Sequence, residues 1–399
     1  MSRLIGFVLV VCLCFGLVGC SGSGATTEEF GDFDLSPRGT LVSYNKLEDY
    51  SYSYLYGVLT YAGVDIDPEV GATLYGVTYS TVDLKGNPTT ASGAVAIPDG
   101  ATAASLVSYQ HSTATLKTNV PSGNNDEGLF ILASFASSGN YVVSMADYLG
   151  LGSNPGLHPY MHSATEASAS IDMIRAARQL CTKLNVTLSK KLFLAGYSQG
   201  GHATMALSKA IQDMNTAEFS VTASAPMAGP YDLSNSQIHF ALDDQGPDTP
   251  TFMAYVTLAY NMIYGLYTNP STAFVSPYDV QVPVLFNGTQ DIDAVAAALP
   301  SDEAQLFQPA FSNEFLQPGA LQNALQANNL YNWKPMMPMT LYHARSDNIV
   351  AFENSEKAYD TFQTNGAPNV HLVDLGGNLT HAQGIEPAVQ RARHWFDTF

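Results

Sequence analysis

Two rhythms of apolar residues alternate along most of this chain. ATLYGVTYSTVD (72–83) and TTASGAVAIP (89–98) are rich in β-formers, and the turn LKGNP between them carries a Gly-Asn-Pro break. They predict two antiparallel strands. ASLVSYQH (104–111) and YVVSMAD (141–147) predict buried strands. In ATEASASIDMIRAARQLCTKL (164–184) the period changes: Ile171, Ile174, Ala177, Cys181 and Leu184 recur every three or four positions, which predicts a helix with one apolar stripe. KLFLAG (191–196) then predicts a strand, SQGGHATMALSKAIQDM (198–214) a helix and SVTASAPMAG (220–229) another strand.

The alternation stops between about 233 and 336. This stretch holds the acidic turn-rich piece LDDQGPDTP, the aromatic run TFMAYVTLAYNMIYGLYT (251–268) and two polar helical segments, AVAAALPSDEAQLF and GALQNALQANNL. The aromatic run is apolar on every side, which fits a helix that is buried or that lines a greasy space. The strand–helix rhythm resumes with MTLYHARSD (339–347), ENSEKAYDTFQTN (353–365), NVHLVDL (369–375) and a final helix, PAVQRARHWFDTF (387–399). Strands alternating with helices predict an α/β protein with a mostly parallel sheet covered on both faces. The antiparallel start and the long interruption then decorate one domain.

Composition narrows the function classes. Hydrophobic residues make up 46% of the 399 and charged residues 13%, enough for a large core. A net charge of −19 without a basic stripe excludes nucleic acid as a partner and gives no grip on phosphates. The nine histidines and four cysteines show no CxxC or HExxH spacing, so no metal site and no cofactor are expected.

The first residues stand apart. Arg3 precedes an uncharged apolar run from Leu4 to Leu17, followed by small residues and Cys20, which predicts an export signal over 1–19. Leu17-Val18-Gly19-Cys20 resembles a bacterial lipobox, whose cysteine is lipidated and begins the mature chain. Residues 20–36 then read as a flexible tether, SGSGATT first. This predicts a membrane-anchored lipoprotein in the outer membrane, periplasm or cell surface. Only Cys181 remains in the body, so no internal disulfide is possible.

The chemistry centres on Gly196-Tyr197-Ser198-Gln199-Gly200, a G-x-S-x-G that ends a predicted strand and opens a predicted helix. That context lifts a serine clear of a sheet on a sharp turn. An unassisted hydroxyl is a poor nucleophile, so a base and an orienting acid must follow. His381 is the choice for the base, because GGNLTHAQG lies after the last strand and before the last helix. His202, His239, His343 and His394 sit within helices, a strand or the interruption. Asp347, at the exit of MTLYHARS, is favoured as the acid over Asp374, which also lies between the serine and the histidine. The backbone N–H of Gln199 is one expected oxyanion donor, and the loop Gln110-His111-Ser112-Thr113 supplies the other, with Thr113 as first choice.

The chain resembles the secretory lipases of the lipase A type, in a bacterial lipoprotein form. The resemblance rests on GYSQGGH (196–202), ADYLGLGSNPGLHPY (146–160), LFNGT (285–289), HARSDNIV and THAQG, and it runs from about residue 37 to the end. It implies an α/β-hydrolase domain over 37–399, with an eight-stranded sheet and a helical cap at about 233–336, before the penultimate strand. It also implies hydrolysis of carboxylic esters by Ser198, Asp347 and His381. Family members often show His-Gly-Thr where this chain has His111-Ser112-Thr113, so the second donor belongs to the segment. Pocket candidates are His111, Asp147, Tyr148, Tyr197, Phe252 and Met253; bracing is an equally good reading for His111 and for the Asp147–Tyr148 loop.

The expected activity is serine carboxylesterase or lipase action, through an acyl-enzyme, on small-molecule or lipid esters with an apolar acyl part. An exported serine peptidase or aminopeptidase on the same fold is the alternative, though no carboxylate pair for a substrate amine stands out. A non-catalytic, lipid-anchored binding module is the third reading. No oligomeric state follows from the sequence.

Overall fold

The computed structural model describes residues 38–214, 217–243, 246 and 248–399. The export signal 1–19, the lipidation candidate Cys20 and the tether 20–36 lie outside the described residues. Among those described, nine strands form one sheet: β1 (Leu41–Tyr50), β2 (Ala72–Val82), β3 (Pro88–Pro98), β4 (Ala104–Gln110), β5 (Tyr141–Ala146), β6 (Leu188–Tyr197), β7 (Val221–Met227), β8 (Met339–His343) and β9 (Val370–Asp374). Their order is β1-β2-β3-β5-β4-β6-β7-β8-β9. The first three are antiparallel to their neighbours, and β4 to β9 run parallel. The sheet thus has one strand more than the expected eight. The extra strand, β1, is a polar edge strand with two register shifts against β2 and no regular in–out alternation, so it carries no period-2 signal.

Helices cover both faces. On one side α1 (Tyr52–Ala62), α2 (Asp126–Phe135) and the last helix pack around Phe135, Tyr141, Phe193 and Phe396. On the other lie α3 (Ser163–Lys183) and α4 (Gln199–Met214), with Ile174, Leu180, Leu194 and Leu207 between helix and sheet. Ile171, Ile174, Ala177 and Cys181 all face inward, as the spacing predicts. Cys181 is a free thiol, and burial pushes its pKa up to about 12, so it packs as a small apolar group.

A helical insertion stands before the penultimate strand, where the resemblance implies one. It comprises α5 (Ile238–Asp243), α6 (Thr249–Tyr264), α7 (Tyr278–Leu285), α8 (Ile292–Ala298), α9 (Glu303–Leu306), α10 (Pro309–Glu314) and α11 (Ala320–Ala327), introduced by a π-helical turn, Leu233–Gln237. It has its own core, built on Phe274, Phe307, Phe311 and Phe315, whose rings meet at 5.2–6.1 Å. It also grips the sheet domain: Tyr255 stacks on Tyr160 at 4.3 Å, and the Tyr255 hydroxyl donates to the Ala114 carbonyl at 3.1 Å. After β8 come α12 (Glu353–Thr364) and, after β9, α13 (Ile385–Phe396). Among the described residues, no helix is long and apolar enough to cross a membrane.

Candidate active site

Parallel strands leave their C-terminal ends along one edge, and register makes those ends level. Gln110 of β4 pairs with Gly196 of β6, which pairs with Pro226 of β7; Met227 pairs with Tyr342 of β8, and His343 with Asp374 of β9. The residues that follow each strand therefore share that edge, and the candidate residues are among them.

Ser198 joins β6 to α4 at φ 59°, in the left-handed region that a serine enters only under constraint. Its N–H is held by the Met227 carbonyl at 3.0 Å, while its own carbonyl accepts from Gly201 and His202, starting the helix. The flanking glycines make this turn possible by letting backbone approach backbone. A Cβ at Gly196 would lie 2.6 Å from the Gln110 carbonyl oxygen, and one at Gly200 would collide with the same oxygen. Ser198 is 9% exposed and forms part of the wall of a cavity of about 80 Å³. The rest of that wall is mainly apolar and comes largely from the insertion, with Leu233, Phe252, Met253 and Leu325, and from Val350.

Asp347 follows β8 and turns back on its own loop. Its Oδ1 accepts the N–H groups of Ile349 and Val350 at 2.9 and 2.8 Å. Its Oδ2 accepts from His381 Nδ1 at 2.6 Å and from His343 Nε2 at 3.2 Å. Burial alone would raise this carboxyl, but hydrogen bonds from His343 and His381 hold it well below the usual carboxylate range. Asp347 is an anion, and with Nδ1 of His381 donating to it, Nε2 is the nitrogen left to act. The His381 backbone is fastened to the serine turn, since the Tyr197 hydroxyl donates to the His381 carbonyl at 2.6 Å. Its N–H donates to Asn348 Oδ1 at 3.1 Å. Asp374, by contrast, is exposed and paired with Arg345 at 2.9 Å.

The loop after β4 is also braced. Glu127, in the first turn of α2, accepts the Ser112 N–H on both oxygens, at 3.1 and 3.2 Å, and the Ser112 hydroxyl at 3.0 Å. Thr113 comes next, its hydroxyl 2.9 Å from the Tyr160 hydroxyl. Neither the Thr113 nor the Gln199 N–H has an acceptor among the described residues.

Of the pocket candidates, Phe252 and Met253 line the cavity. His111, Asp147, Tyr148 and Tyr197 are not among the residues that line it, and all four are buried. Asp147 is fully buried, takes the Ser92 hydroxyl at 2.6 Å and is bonded to Ser122; burial raises its carboxyl, against the pull of those two serines. Tyr148 packs on His111 at 4.4 Å and donates to the His111 carbonyl at 3.1 Å. His343 is the partner that strand position conceals: its Nδ1 accepts from Ser355 at 2.8 Å, and its Nε2 also approaches the Val350 carbonyl at 3.0 Å. A histidine four residues before the aspartate is the only sequence signal of that contact. Among the described residues, no group of three or more His, Cys, Asp or Glu side chains is arranged to hold a metal ion.

Comparison with known proteins agrees with this architecture. The family model for secretory lipases matches residues 116–227. The ligand-bound rice cell wall degrading esterase LipA from Xanthomonas oryzae is 32% identical, with a TM-score of 0.85, over 90% of this chain and 99% of that one. A proposed hydrolase of Legionella pneumophila is 31% identical, with a TM-score of 0.85, over 90% and 97%. Lipase A from Candida antarctica in its closed state shares the fold at 17% identity and a TM-score of 0.65, over 89% and 83%. No curated protein sequence matches the chain. A level row of strand ends carrying a strained serine, a helical insertion over them and near-complete overlap with an esterase place this chain in the secretory lipase family, as a carboxylesterase or lipase of the α/β-hydrolase fold.

Proposed function

We propose that the protein hydrolyses neutral carboxylic esters with an apolar acyl part, through Ser198, His381 and Asp347 and an acyl-enzyme. Ser198 Oγ attacks the ester carbonyl, His381 Nε2 takes its proton and passes it to the departing alcohol, and water repeats the sequence to free the acid. Asp347, kept ionised, fixes the tautomer and stabilises the imidazolium. The N–H groups of Gln199, at the positive end of α4, and of Thr113 receive the oxyanion.

The observation that carries this reading is the 2.6 Å bond between His381 and Asp347, tied through Tyr197 to a serine at positive φ in an apolar cavity. We read the insertion as a cap over the acyl site. We also read Cys20 as lipidated, holding the enzyme to a membrane outside the cytoplasm, in keeping with the secretory character of its family.

Ser198→Ala should lower turnover of short p-nitrophenyl esters by roughly 10⁶-fold, with an unchanged circular dichroism spectrum. A fluorophosphonate probe should label native protein and not the variant. Near-native turnover by folded Ser198→Ala would overturn the reading.

A further inference from the structure

Beneath the serine turn lies a buried polar cluster that the hydrolytic reading does not use. Glu166, in the first turn of α3, is 1% exposed. Its Oε1 accepts from Gln199 Nε2 at 3.0 Å and its Oε2 faces His202 Nδ1 at 2.7 Å. One carboxylate thus clamps two residues in the opening turn of α4. Gln199 Nε2 also donates to His158 Nε2 at 2.7 Å, where His158 Nδ1 is committed to the Leu149 carbonyl at the same distance. Among the described residues the Gln199 Oε1 has no partner, so the two donated bonds hold the side chain. His202 Nε2 then reaches the Asn328 carbonyl, just past α11, at 3.0 Å. Asn328 itself receives the Ser163 N–H at 2.9 Å and donates to Tyr264 at 2.9 Å, joining the insertion to the start of α3.

Burying a carboxylate is a poor way to gain stability, because desolvation offsets most of the attraction and a well-packed apolar set does as well. What such a clamp adds is a defined orientation. Gln199 carries the backbone N–H assigned to the oxyanion, and it follows a serine held in a strained conformation. An amide aimed at a developing charge acts only if its direction is fixed before the reaction.

Resting on the hydrolytic reading above, we propose that Glu166 is a positioning residue for the oxyanion pocket. It sets the Gln199 amide through the Gln199 side chain and ties that amide to the insertion through His202 and Asn328. Because the contact with the oxyanion forms in the transition state, weakening it lowers kcat and leaves ground-state binding alone.

The test compares Gln199→Met, which keeps the backbone N–H and side-chain bulk but removes the donor, with Glu166→Leu and Glu166→Gln. Each is assayed on p-nitrophenyl butyrate and titrated with a trifluoromethyl ketone that forms a tetrahedral adduct on the serine. Gln199→Met and Glu166→Leu should lose about 10–100-fold in kcat with KM kept, and the same factor in ketone affinity. Glu166→Gln should stay within about threefold of wild type, since its amide oxygen can still accept from Gln199. Gln199→Met decides the matter even if Glu166→Leu does not fold. A Gln199→Met enzyme with wild-type kcat and ketone affinity, or with its loss confined to KM or Tm, overturns the proposal. Ser198→Ala run alongside separates the failures: if it retains turnover the hydrolytic reading falls, and if it alone loses turnover only the role of Glu166 falls.

Discussion

Burial holds the His158 imidazole neutral. Desolvation lowers its pKa from 6.5 to about 4, against the opposing pull of its bond to Leu149 and of nearby Glu166, while His111 adds to the lowering. The bonding pattern demands the same state, because a proton on Nε2 would face the Gln199 amide donor. The folded chain therefore binds fewer protons here than the unfolded chain between pH 6.5 and 4. Stability from this group is complete above 6.5 and is lost as pH falls toward 4, a change of about 3 kcal/mol. His158→Asn keeps a donor for Leu149 and cannot titrate. Urea unfolding at pH 7, 6, 5 and 4 should give the variant the shallower slope across that window; parallel slopes would refute the assignment. The proposed trio Ser198, Asp347 and His381 could be picked out in the sequence because each follows a recognisable strand, and a strand exit is a local feature. The contacts of Glu166, His158 and His343 could not, because each depends on which helices and loops stack beneath the turn, and no periodicity records that.

Elements were legible where burial imposed a period. The central strands are runs of apolar and small, largely buried residues because both faces are covered, and α3 shows its stripe because one face meets the sheet. The edge strand β1 and helix α1 carry no such period: β1 has one sheet neighbour, and α1 is seated by Leu55 and Leu59 while exposing Tyr52, Tyr54, Tyr56 and Tyr61. The run 251–268 folds as a helix from Thr249 to Tyr264, ended by Gly265 in a left-handed cap. On the function proposed above, that helix bears on acyl choice. At about 80 Å³ the cavity is roughly half the size of an engineered 150 Å³ cavity that admits benzene, so its present form suits only a short acyl chain. Phe252 lines it and is only partly buried, so truncating it widens the space without emptying a core. Phe252→Ala should raise kcat/KM for p-nitrophenyl decanoate relative to butyrate by about tenfold. An unchanged ratio would mean that the acyl group lies elsewhere.

At the scale of the whole molecule, charge and anchorage pull in opposite directions. Thirty-five acidic residues against 16 basic ones leave −19, and like charge keeps such a protein off anionic lipid. Among the described residues, no helix is long and apolar enough to cross a membrane. If acyl chains hold the enzyme to a membrane, they contribute roughly 0.8 kcal/mol per buried methylene, two or more being needed for lasting attachment. If Cys20 carries them, Cys20→Ser should move the protein from the membrane pellet to the soluble fraction and abolish incorporation of an alkyne-tagged fatty acid. Its kcat/KM on a soluble ester should stay within twofold, because Cys20 precedes the first strand by twenty residues of chain and none of the proposed chemistry involves it. Low salt should strengthen any residual adhesion through basic groups, so the fractionation is done at 10 mM and 500 mM salt. A Cys20→Ser protein that stays in the pellet at both would show that another part of the chain, with an apolar surface of its own, meets the membrane.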